Sequence, residues 1–218
     1  MQARFGKKVY KLSLDAGMTC PNRDGRVGYG GCIFCDGGSG AFAARREGDL
    51  QRQIEAAKTR IRNKAGANAA YMAYFQSYTN TYAPVERLEE LFMPVAARED
   101  ICALSVATRP DCLPVPVLDL LTRLNAIKPV FVELGLQTMH EKTAEYIRRG
   151  YPLPIFEQAV FELERRKIPV VVHMILGLPG ETPEMMRQTA AYIGASGVQG
   201  IKLQLLHVLK GTDLAAYY

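Results

Sequence analysis

The chain has 218 residues, 48% of them hydrophobic and 22% charged, enough to bury a substantial core within one domain spanning residues 1–218. No apolar run approaches the roughly 20 residues that cross a bilayer. The N-terminal MQARFGKKVYKLSLDAG also lacks the apolar core of a secretory signal, so a cytoplasmic protein with no membrane partner is expected. The net charge of +5 is concentrated early, with 13 Lys/Arg against 6 Asp/Glu up to Lys64 and 14 against 16 thereafter.

In chain order, Lys8 to Asp15 alternates, with Tyr10, Leu12 and Leu14 on one side, which predicts a first strand. A Gly-rich segment with three cysteines follows. A helix from Asp49 to about Ala65 is read from Leu50, Ile54, Ala57 and Ile61 at three- and four-residue spacings. Around it lie Arg45, Arg46, Arg52, Lys58, Arg60, Arg62 and Lys64, which form either a solvated helical face or a nucleic-acid surface. Then come a strand Tyr71–Tyr78, a helix near Val85–Ala97, a strand Ile101–Thr108 and a helix near Pro114–Ala126. They are followed by a strand Val130–Gln137, a helix near Leu153–Lys167, a strand Val170–Leu176, a helix Pro183–Ala195 and a last strand near Ile201–Val208. Six strands alternating with five helices imply right-handed crossovers and a parallel α/β sheet, closed as a barrel or open. In either case the site sits at the carboxyl ends of the strands. No helix covers the sixth strand, so the native chain is expected to continue beyond residue 218.

Five cysteines are an odd set, which argues against a disulfide framework. Cys20, Cys32 and Cys35 form a C-x11-C-x2-C arrangement on the loop leaving the first strand, at the predicted site end. A structural zinc site normally takes four protein ligands, whereas three thiolates with one open position suit a [4Fe–4S] cluster that leaves one iron for an external ligand. Zinc and unligated thiols remain alternatives. Glycines 28, 30, 31, 37, 38 and 40 let the backbone wrap a bulky group, and Phe34 would keep water from it.

With these cysteines the sequence resembles the radical S-adenosylmethionine (SAM) superfamily, and within it a bacterial group similar to the catalytic subunit of elongator, from Leu12 to the chain's end. The resemblance implies a partial (β/α)6 TIM-type barrel with parallel strands. It also implies a [4Fe–4S] cluster that cleaves S-adenosylmethionine to methionine and a 5′-deoxyadenosyl radical, with a reductant protein such as flavodoxin or ferredoxin as partner. The family's usual spacing is C-x3-C-x2-C, and elongator-like members widen the first gap as this chain does.

The stretch HMILGLPGETPEMM is read without any ligand as a tight turn into a helix capped by Thr182. It also resembles the family's fifth-strand motif, which places Ile175 and Gly177 beside the nucleoside. In ELGLQT, Glu133 and Gln137 share a strand face, and polar groups in a barrel interior either bind something or pair with each other. The resemblance gives Gln137 to the cofactor and Glu133 to the substrate side, as a catalytic candidate together with Arg109. It gives Arg149, or its neighbour Arg148, to the cofactor carboxylate and His173 to the ribose. Gln76, Ser77 and Asn80 would replace the Gly-Gly-Glu type motif that grips the cofactor's amino group, which the second strand end FQSYTNTY lacks. Cys112 could contact substrate. The resemblance, the basic first third and Tyr74, Tyr78 and Tyr82 together point to tRNA or another RNA as substrate. The rivals are a radical enzyme acting on a small molecule or peptide, and a zinc-stabilised nucleic-acid-binding module.

Overall fold

In a computed structural model of the chain, residues 2–36, 48–66 and 69–217 are described. Gly37, Gly38, Gly40, Arg45 and Arg46 therefore lie outside the described residues. A single sheet contains six strands: β1 (Val9–Leu14), β2 (Ala70–Phe75), β3 (Ile101–Thr108), β4 (Val130–Gln137), β5 (Val170–Leu176) and β6 (Gly200–Leu205). Their order is β1-β2-β3-β4-β5-β6, and every pairing is parallel.

Helices α1 (Gln2–Phe5), α2 (Leu50–Ala65), α3 (Val85–Ala96), α4 (Val115–Ile127), α5 (Glu141–Tyr146), α6 (Leu153–Arg165) and α7 (Pro183–Ala195) complete the described elements, with short 3-10 turns at Pro110–Cys112 and Asp213–Tyr217. The five long helices match the expected crossovers, while α1 and α5 were not foreseen. The second strand is shorter than expected, because after Phe75 the backbone turns away and Tyr78 takes φ +60°.

Local chemistry sets several boundaries. Asp49 accepts a hydrogen bond from the Arg52 amide at the start of α2, and Thr182 accepts one from the Met185 amide ahead of Pro183 in α7, as N-cap residues do. Pro114 stands just outside α4 as its cap rather than in its first turn.

The outward side chains of the strands, including Leu12, Leu14, Phe75, Leu104, Val132 and Val172, pack on Ile54, Phe92, Leu121, Phe156 and Ile193 of the helices in one cluster. Each such burial is worth about 1.5–3 kcal/mol. The outer face of β6 is different: Ile201, Leu203 and Leu205 remain exposed, with no helix over them among the described residues.

Contacts between strands that are not neighbours show that the sheet curls into a half-barrel. Lys11 of β1 bonds Glu133 of β4, and Lys202 of β6 reaches the Tyr74 hydroxyl of β2 at 2.9 Å. The concave base is apolar, formed by Met72, Ala103 and Phe131 with Phe5 of α1 packed beneath.

Candidate active site

The three cysteines lie where the parallel topology directs function, above the carboxyl ends of the strands. Tight turns shape their loop, with the Arg23 amide donating to the Cys20 carbonyl and the Cys35 amide to the Cys32 carbonyl, each at 2.9 Å. Asn22, which sequence reasoning missed, is buried at the centre of this loop. Its Nδ2 donates to the Arg148 carbonyl at 2.5 Å and to Cys32 Sγ at 3.5 Å. Gly28 is required beside it, since a Cβ there would stand 2.5 Å from Asn22 Oδ1. Further ties run from the Ile33 amide to the Ile147 carbonyl and from the Thr79 amide to the Thr19 carbonyl, so the loop is fastened to both flanks of the barrel mouth.

All five cysteines are free thiols. Burial pushes Cys32 up to about 11 despite the positive charge of Arg109, and the neighbouring Cys35 and Cys20 add to the rise. Among the described residues no three His, Cys, Asp or Glu side chains close on a single ion. Tetrahedral zinc thiolates, with Zn–S about 2.3 Å, would need sulfurs only about 3.8 Å apart. Arg109 is the nearby cation: its fork holds both oxygens of Asp111 (2.9 and 2.7 Å), and it donates to the Arg149 carbonyl at 2.8 Å.

Around this loop the strand ends carry the remaining sequence candidates. Ser77 Oγ, Asn80 Oδ1 and Gln137 Oε1 are buried without a hydrogen-bond partner among the described residues, a costly state that a polar ligand would relieve. Asn80 also spans β2 and β3, donating from Nδ2 to the Phe75 and Ala107 carbonyls at 3.0 Å. Gln137 stands at φ +70°, unusual for a residue other than glycine and the kind of local strain found at ligand clamps. Gln76 is half-buried, its amide paired with the Leu14 carbonyl. Phe34 and Ile175 pack in one apolar cluster with Ile33, Ile147, Leu178 and Leu214, and a Cβ on Gly177 would meet open space. Three free cysteines on one loop, with unpaired polar atoms on Ser77, Asn80 and Gln137 near the ends of β2 and β4, are donor groups of the kinds that a thiolate-held cluster and a polar nucleoside ligand use.

Not every candidate joins this group. Arg149 is buried, and its guanidinium is committed inside the fold to the carbonyls of Tyr151 (3.0 Å), Thr138 (2.7 Å) and Leu136 (3.3 Å) and to Glu141 (3.3 Å). Arg148 contributes its carbonyl to Asn22, while its side chain pairs with Asp213. Cys112 is buried beside Asp111, and desolvation followed by that carboxylate pushes its thiol up to about 12. It lines a cleft of about 790 Å³ with Arg26, Tyr82 and Glu162.

Deeper in the barrel, Glu133 is the hub of a polar layer. It accepts from Ser105 at 2.5 Å, from Lys11 and from His173 Nε2 at 2.7 Å, with Lys202 3.8 Å away. Burial alone would raise its carboxyl, but the hydrogen bond from His173 and the charge and hydrogen bond of Lys11 outweigh it and hold the group well below the usual range. Burial lowers the His173 imidazole against the opposing pull of the Glu133 carboxylate, to which its Nε2 is bonded. Lys11 and Lys202 were missed by sequence reasoning; each stands opposite the apolar parity of its strand, the one signal that marks them.

Comparison with known proteins adds identity to this geometry. The family profile of the Radical SAM superfamily matches residues 20–193. The protein YtqA of Bacillus subtilis (strain 168) is 48% identical over 219 residues, covering 100% of this chain and 68% of that protein. The tRNA uridine(34) acetyltransferase of Methanocaldococcus jannaschii is 23% identical over 258 residues, covering 95% of this chain and 45% of that protein. Among solved structures, Elp3 of Methanocaldococcus infernus superposes with a TM-score of 0.68 at 17% identity, over 96% of this chain and 48% of the other, so the chain spans about half of that protein.

Proposed function

Since the chain belongs to the Radical SAM superfamily, we propose that Cys20, Cys32 and Cys35 hold a [4Fe–4S] cluster and that the polar strand ends beside it bind S-adenosylmethionine. When bound, the cluster supplies the electron, drawn from a reductant such as flavodoxin or ferredoxin, that cleaves S-adenosylmethionine to a 5′-deoxyadenosyl radical. The chain's own residues do the rest. Asn22 fixes the loop and gives Cys32 a hydrogen bond, and the charge of Arg109 favours its thiolate. Ser77, Asn80 and Gln137 offer unspent polar atoms, with the half-buried Gln76 beside them, to the cofactor's amino acid and ribose portions, while Phe34, Ile175 and Gly177 form the apolar wall and gap for its base. His173, below them, orients Glu133 rather than standing free for the ribose. What supports the reading is the family match over residues 20–193, with three free cysteines on the loop after β1 and unpaired polar atoms on Ser77, Asn80 and Gln137 just past the ends of β2 and at the end of β4.

For the substrate, the Elp3 likeness and the tRNA-modifying relative support an exposed tRNA base. Two basic–aromatic pairs on the rim suit such a base: Arg23 lies over the Tyr78 ring at 6.0 Å and Arg26 over Tyr82 at 5.8 Å. A second reading, a small molecule, is favoured by the lysines at the bottom of the barrel.

Anaerobic reconstitution with iron and sulfide, followed by an assay for 5′-deoxyadenosine with reductant and S-adenosylmethionine, tests the chemistry. Cluster absorbance and product are expected in the wild type and absent from Cys20→Ala, Cys32→Ala and Cys35→Ala. Wild type indistinguishable from these variants would refute the assignment.

A further inference from the structure

One side chain from each of the six strands meets in the layer around Glu133: Lys11, Tyr74, Ser105, Glu133, His173 and Lys202. Glu133 is the one acid of the six, and it faces two ammonium groups. The Tyr74 ring lies between them, 4.4 Å from Lys11 Nζ and 5.1 Å from Lys202 Nζ, and its hydroxyl is bonded to Lys202. Two lysines face the one carboxylate, so positive charge in the layer exceeds negative by one even without His173. A third cation, Arg4, stacks on the Phe131 ring at the base below.

An ion-pair network built only for stability would be matched and closed. This one is neither. Glu133 is fully buried, yet the side chains of Lys11 and Lys202 retain 44% and 34% of their exposure and so remain open to a further partner. Lys11 and Lys202 each stand three residues before the end of their strand, about 10 Å along it at a rise of about 3.3 Å per residue.

Resting on the second, small-molecule reading of the barrel as the reaction chamber, we infer that Lys11 and Lys202 form an anion site at its floor, which receives the carboxylate of a small organic-acid substrate. A planar monoanion matches the surplus of one charge and accepts charge-assisted hydrogen bonds from both ammoniums. Its body then extends up the barrel toward the cysteine loop, so the floor sets which carbon faces the cofactor.

The test uses reconstituted holoprotein and two methyl-bearing probes, acetate and methyl phosphate, titrated by saturation-transfer NMR. Acetate should bind the wild type saturably. Lys11→Met and Lys202→Met should each weaken it about tenfold, the scale of one lost charge-assisted contact, and the exposed Lys142→Met should not. Glu133→Gln removes the competing carboxylate and should tighten acetate several-fold, a gain that misfolding does not produce. Acetate binding insensitive to both lysines, or methyl phosphate bound in preference, would overturn the inference. So would a uridine-containing single-stranded RNA that binds through Lys11 while acetate does not. Deoxyadenosine formation by the same wild-type preparation is scored separately: its absence with acetate binding intact would refute the radical chemistry and leave the floor site standing.

Discussion

Replacing Glu133 by alanine should cost the fold far more than removing either lysine it holds. The carboxylate is fully buried and takes hydrogen bonds from Ser105, His173 and Lys11, with Lys202 within 3.8 Å. Breaking a buried ion pair from one side typically costs about 3–5 kcal/mol. Lys11 and Lys202 keep 44% and 34% of their side-chain exposure and can recover water, which lowers that part to about 2 kcal/mol. The buried Ser105 hydroxyl, stripped of its acceptor, adds about 1 kcal/mol. A total of about 3 kcal/mol corresponds to a Tm lowered by about 6–12 °C in a chain of this length. Lys11→Met and Lys202→Met each leave Glu133 one ammonium and should cost less than about 1 kcal/mol. The pH dependence has a definite sign. Because the folded carboxyl is held below its ordinary value, its stabilisation is present above the unfolded carboxyl pKa of about 4.3 and fades as pH falls through the folded value. The gap between wild type and Glu133→Gln should therefore narrow on acidification. Urea unfolding followed by circular dichroism at neutral and acid pH measures both effects. Glu133→Ala within about 1 kcal/mol of wild type, or lysine variants equally damaging, would refute the one-acid, two-base accounting.

Asn22→Ala removes the amide that ties the cysteine loop to the Arg148 carbonyl, and should cost about 1–2 kcal/mol and lower iron retention after reconstitution. Gly28→Ala pushes against the same amide, so the double variant should be no worse than the sum's larger member, as a double-mutant cycle on iron content would show. Cys112, buried and with its thiol pushed up to about 12, should alkylate tens of times or more slower than an exposed unperturbed thiol at neutral pH, on the order set by its smaller thiolate fraction offset by its higher nucleophilicity, read by mass spectrometry after timed iodoacetamide treatment. Arg149→Lys cannot reproduce a fork spread over three carbonyls and should cost about 2–3 kcal/mol. A loss confined to S-adenosylmethionine affinity, with unchanged Tm, would return Arg149 to the cofactor site.

What the sequence made legible follows from which signals are local. Strands such as ICALSVAT and VVVHMIL announce themselves because, covered on one face by helices and curled around a crowded interior on the other, they carry apolar residues nearly throughout. Glu133 and His173 stand out as polar interruptions of such runs, and their pairing follows from the register that sets Gly135 beside His173. Helix α5 has only six residues, too few to display an apolar period, and it escaped notice. Lys11 escaped for a different reason. Alternation with Leu12 and Leu14 identifies a strand, but the usual inference sends the polar parity into water. In a curled parallel sheet that parity faces its counterparts across the barrel, so the alternation that looks like a solvent face is the wall of the chamber. The same inversion applies to β6, where Lys202 and Gln204 share the inward parity while the apolar Ile201, Leu203 and Leu205 are exposed. Local pattern therefore locates the strands, whereas curvature, a property of all six together, decides which parity meets the ligand. The surplus of lysine on that parity is the part of the site that no single motif could reveal.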